Sequence, residues 1–132
     1  MNALRRALYL QAAVWALAGA ALALAPRFVL VTVFSQPALN EPAWLRLLGI
    51  HAFTVAMLMV LVAHRIEELW WWSWAFALMT TGAAGVVVLN AAFGLAPGES
   101  GALWWLFSVV AVGFDMALLF GIYLTSRQQP LP

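Results

Sequence analysis

A chain of 132 residues that is 66% hydrophobic and only 8% charged departs widely from the roughly 45–50% apolar and roughly 25% charged make-up of soluble domains. Its mean hydropathy of +0.96 says the same. The formal net charge of +1 comes from six arginines against five acids, with no lysine and no polybasic run to point to nucleic acid or an anionic-lipid clamp. The lack of cysteine excludes disulfides, thiolate metal sites, iron–sulfur clusters and dithiol redox chemistry.

A membrane-spanning helix needs about 20 residues, so four spans with short connections would use nearly the whole chain as a single integral membrane domain. The first span is expected over about 7–25. Arg5 and Arg6 followed by an apolar run ending Ala23-Leu24-Ala25 look like a secretion signal. Pro26 would fall just after the cut and the run exceeds a usual signal core, so a retained helix is expected. Ala12, Ala16 and Ala20, with Gly19 and Ala23 beside them, form a small-residue stripe against which another helix can pack closely.

From Pro26 to Pro42 the chain is too proline-rich and too short in apolar residues to span, yet Phe28, Val29, Val31, Val33 and Phe34 suit an interfacial segment between the first two helices. Its periodicity does not choose between helix and strand. The second span, about 44–64, carries Arg46, His51 and Thr54 in its first half and ends at His64, an interfacial position. Residues 65–69 form a charged turn so short that the second and third helices must run antiparallel.

The third span, about 70–93, opens on an aromatic belt, WWWSW, and contains Thr80, Thr81, Gly82, Gly85 and Asn90. Thr81 and Gly85 share a face in the small-xxx-small pattern that draws membrane helices together. Gly94 and the segment Ala96-Pro97-Gly98-Glu99-Ser100-Gly101 supply a turn, and the fourth span follows over about 102–125 with Asp115 near its middle. With both termini cytoplasmic, Arg5, Arg6, Arg65 and Arg127 lie inside and Arg27 and Arg46 outside, so the arginine bias favours N-in/C-in. The expected fold class is therefore all-α, a four-transmembrane-helix bundle.

A helix rises about 1.5 Å per residue, so counting about ten residues from the cytoplasmic end of each span reaches Asp115, Thr54 and Thr80 at roughly 15 Å depth, with Thr81 one further. His51 lies one turn outward on the face of Thr54, and Ser108 extends the Asp115 face in the same direction. Asp115, His51, Thr54, Thr80 or Thr81, and Ser108 thus form a candidate ligand or proton site. A carboxylate facing hydrocarbon costs at least about 2.5 kcal/mol, so Asp115 should face the bundle, neutralised or hydrogen-bonded. The plainer reading is helix glue: Asp115 bonded to threonines and His51 satisfied by a carbonyl.

His51 and His64 are about 140° apart around the helix and roughly 20 Å apart along it, so they cannot bracket one haem. A single His51 can still serve as axial ligand to a haem or chlorophyll-type pigment. A di-metal bundle site would need several inward carboxylates and a Glu-x-x-His pair, and the sequence has neither.

A first helix ending in Ala-Pro, an interfacial segment with Phe34, then Trp44-Leu45-Arg46-Leu47-Leu48-Gly49 opening the second helix, resembles the DoxX-like group of small bacterial four-helix membrane proteins. The resemblance implies a four-helix bundle in the bacterial inner (cytoplasmic) membrane. Some relatives are associated with quinone-linked oxidoreductases as membrane subunits, many have no assigned role, and no catalytic signature carries over to residues here. The expected function is a non-catalytic integral membrane subunit or accessory protein of a larger complex, in contact with other subunits or itself, with a lipophilic ligand such as a quinone in the bundle. The alternative is a small proton-coupled transporter in which Asp115 alternates between proton and substrate. Small multidrug transporters have this size but carry their essential carboxylate in the first helix, which has no acid here. An enzyme ranks third, because no nucleophile–base pair or metal cluster stands out beyond His51 and Asp115.

Overall fold

A computed structural model of the protein describes residues 1–95 and 101–128. Helix α1 runs Asn2–Leu24, α2 Ala43–His64, α3 Ile66–Leu69, α4 Ser73–Phe93 and α5 Ala102–Ser126. A π-helical stretch, Phe28–Val33, follows α1, and a 3-10 turn, Trp70–Trp72, joins α3 to α4. The described residues contain no strand. Four helical stretches, Asn2–Leu24, Ala43–His64, Ile66–Phe93 and Ala102–Ser126, are each long and apolar enough to cross a membrane.

Element boundaries follow local chemistry. α1 stops at Leu24 because the residue before a proline is steered out of the α region, and Pro26 then opens a new helical segment where its missing N–H is not needed. That segment widens into the π-helix, with Phe34 N–H donating to Val29 O at 3.1 Å. It ends at Val33 with Phe34 as its cap; Ser35, just beyond, takes a left-handed φ of 53°, and Gln36 N–H reaches back to Leu30 O at 3.0 Å. The third membrane-length helix starts earlier than its aromatic belt suggests. Arg65 breaks the helix with φ −105° and ψ 43°, and Glu67 and Glu68 fall in the first turn of α3 rather than in a loop. Acids at a helix N-terminus are favoured by its dipole. The turn expected after Gly94 lies mostly at residues 96–100, outside the described residues.

The chain forms two compact units, one of Met1–Leu8 with Val62–Pro132 and one of Tyr9–Leu61. In the first, α4 packs against α5, and the first turns of α1 close on the far end of α5. A Cβ added at Gly121 would lie 2.8 Å from Leu4 Cα, so the backbones touch there. Leu4, Leu8, Ile66, Leu118 and Ile122 of this unit are fully buried. Arg5 Nε donates to Ala63 O at 3.2 Å, satisfying a carbonyl in the last turn of α2 that has no partner of its own within the helix. Met1 N donates to Gln128 Oε1 at 3.5 Å.

In the second unit, α1 and α2 meet at glycine. A Cβ on Gly19 would lie 2.6 Å from Gly49 O and 2.7 Å from Phe53 N, and one on Gly49 would lie 2.6 Å from Gly19 O. The close approach therefore centres on Gly19, at the flank of the alanine stripe, because only glycine lets two backbones come this near.

Candidate functional site

The polar residues of the membrane-length helices divide by what their side chains bond. Thr81 Oγ1, near the middle of α4, donates to Asp115 Oδ1, near the middle of α5, at 2.9 Å. Thr80, one residue earlier and therefore about 100° around the helix, is buried and donates instead to Phe76 O at 2.7 Å. Ser108 is also buried and donates to Trp104 O at 2.8 Å. The first unit thus brings Asp115 and Thr81 together, while Thr80 and Ser108 bond back to their own helices.

In the second unit, His51 and Thr54 are exposed on α2. Thr54 Oγ1 donates to Ile50 O at 2.9 Å. His51 Nδ1 lies 2.8 Å from Leu47 O. A carbonyl can only accept, so Nδ1 carries the hydrogen in this contact. A ring held at one nitrogen by a carbonyl is oriented as axial histidine ligands commonly are.

Asp115 lies at the margin of the buried stripe of α5 formed by Ser108, Leu118, Ile122 and Thr125, and it is half-buried; Thr81 is exposed. Their hydrogen bond therefore sits at an open edge of the α4–α5 seam. The α4 face beside it carries Leu78, Gly82, Gly85 and Leu89, all exposed. Cβ atoms added at Gly82 and Gly85 would meet nothing within 4 Å. Of the Thr81–Gly85 pair expected to draw another backbone close, Thr81 bonds Asp115 while Gly85 faces open space among the described residues, unlike Gly19, Gly49 and Gly121.

Among the described residues no group of three or more His, Cys, Asp or Glu side chains could hold a metal ion. Two buried polar residues escaped the sequence reading. Gln11 is 1% exposed within α1, and a glutamine in an otherwise apolar helix was the signal available for it. Ser73 Oγ is fully buried and has no hydrogen-bond partner among the described residues. Nothing in a serine at an aromatic helix start distinguishes it beforehand from an exposed cap.

Comparison of the chain with protein-family models finds no match, and neither does comparison with curated proteins or with solved structures.

Proposed function

We propose that the chain is a non-catalytic integral membrane subunit that docks, through the open face of α4 and its seam with α5, against a larger membrane complex or a second copy. The observation that carries this reading is the Thr81–Asp115 pair: a carboxylate and hydroxyl midway along two membrane-length helices, at an edge with exposed glycines beside it. Polar groups at that depth are costly against lipid, and small residues next to them let a neighbouring helix come close enough to cover them. The hydrogen bonds of His51, Thr54, Thr80 and Ser108 to carbonyls one turn earlier in their own helices support a structural use of these side chains.

Arg5 and Arg65 lie at the end of the first unit where Met1 meets Gln128, which supports N-in/C-in placement under the positive-inside rule. The resemblance to the DoxX-like group adds the bacterial inner membrane as its setting and a quinone or similar lipophilic molecule as its ligand. Native mass spectrometry from gently solubilised membranes tests the reading. The protein is expected to leave the membrane with partner subunits or as an oligomer, and a stable lone monomer with nothing bound would contradict it.

A second reading, proton-coupled transport, rests on Asp115 being half-buried with only Oδ1 engaged among the described residues. It requires Asp115→Asn to abolish pH-dependent substrate efflux from proteoliposomes. Unchanged efflux removes it.

A further inference from the structure

Although the sequence has no polybasic run, the fold of the second unit brings together two arginines that the sequence keeps apart. A cleft of about 330 Å³ is lined by Leu24, Ala25, Pro26, Arg27, Pro42 and Arg46. A neighbouring cleft of about 290 Å³ shares Pro42 and Arg46 and adds Glu41. Both arginines are exposed, and neither is ion-paired among the described residues, Glu41 included. Two like charges lining one cleft repel each other until an anion lies between them.

The surroundings specify the anion. Arg46 is in the first turn of α2, which carries no acid, so the helix dipole adds positive potential to that of the two guanidiniums. Arg27 follows the last turn of α1, placing the cleft at the ends of two helices of membrane-spanning length, the level at which lipid headgroups lie. Guanidinium forks match phosphate oxygens bidentately. The remaining wall, Leu24, Ala25, Pro26 and Pro42, is apolar and suits the glycerol and upper acyl carbons of an amphiphile.

We propose that Arg27 and Arg46 form a phosphate-binding site at the membrane surface, taking the phosphate either of an anionic lipid headgroup or of a soluble anion. The site is independent of the α4 face and of the docking reading above.

The test is native mass spectrometry of the full chain in detergent, offered phosphatidylglycerol and, separately, a neutral glycolipid lacking phosphate. Wild-type protein is expected to retain phosphatidylglycerol preferentially, by about fivefold for each arginine engaged. This comparison needs no variant. Arg27→Gln with Arg46→Gln should erase the preference, whereas Arg6→Gln with Arg127→Gln should keep it. Inorganic phosphate added in excess separates the sources: displacement of the lipid means that the site accepts free phosphate, and persistence of the lipid means that the headgroup is its ligand. Equal retention of the glycolipid by wild type, an undiminished preference in the Arg27/Arg46 variant, or an equal loss in the Arg6/Arg127 variant would overturn the proposal.

Discussion

Thr81 Oγ1 and Asp115 Oδ1, 2.9 Å apart, tie α4 to α5 near the middle of both helices. Measured couplings between polar side chains in membrane helices average about 0.6 kcal/mol and reach about 1.7 kcal/mol. A double-mutant cycle of Thr81→Val and Asp115→Leu, read by unfolding in mixed micelles, should give a coupling in that range. Asp115→Asn keeps an acceptor oxygen for Thr81 and should cost less than Asp115→Leu. A coupling near zero would mean that the bond does not hold the seam.

The glycines separate into two classes with opposite expected effects. Gly19→Ala and Gly121→Ala push a methyl group into backbone at 2.6 Å and 2.8 Å and should destabilise by about 1–3 kcal/mol. Gly82→Ala and Gly85→Ala meet no atom within 4 Å and should raise the stability of the isolated chain, by up to about 1 kcal/mol from helix propensity. If the α4 face is a docking face, the same two substitutions weaken association while they stabilise the chain. Unfolding and oligomer measurements on the same samples distinguish the effects.

Arg5 reaches two acceptors of unequal worth. Its contact with Glu67 is 3.9 Å long and Glu67 is 72% exposed, so Glu67→Gln should cost less than about 0.5 kcal/mol. The bond from Arg5 Nε to Ala63 O is part-buried, and Arg5→Gln should cost more, about 1.5 kcal/mol. High salt should abolish the smaller effect and leave most of the larger one.

Ser73 Oγ is buried without a hydrogen-bond partner among the described residues. Removing an unsatisfied hydroxyl relieves its desolvation cost, so Ser73→Ala should stabilise the protein by about 1 kcal/mol. Loss of stability would mean that the hydroxyl is in fact bonded.

The sequence made the long helices legible because apolar runs of membrane length leave few alternatives. Depth counting also brought Asp115 and the threonines of the third span to one level. It could not choose between Thr80 and Thr81, because both lie at nearly the same depth and only their rotation about α4 separates them. That rotation is set by the buried stripe Phe76, Ala77, Thr80 and Ala84, which carries Thr80 inward and leaves Thr81 at the edge. The segment after Pro26 resisted assignment for a related reason. Its π-helical bonds run from Phe34 to Val29, a spacing that matches neither the α-helical nor the strand period. The Arg27–Arg46 cleft was illegible because it depends on how Leu24–Arg27 and Pro42–Arg46 come together in space, which no linear charge count reports.

Docking through the α4 face is tested most directly by cysteine cross-linking in native membranes, for which the chain's lack of cysteine provides a clean background. Leu78 and Leu89 are 75% and 61% exposed on the face beside Thr81 and Gly85, while Leu17 on α1 is 73% exposed and serves as control. Leu78→Cys and Leu89→Cys should each give a cross-linked product with a second copy or a discrete partner, weakened by Gly85→Leu, and Leu17→Cys should not. Uncross-linked monomer at both α4 positions, or equal cross-linking from Leu17→Cys, would contradict the account.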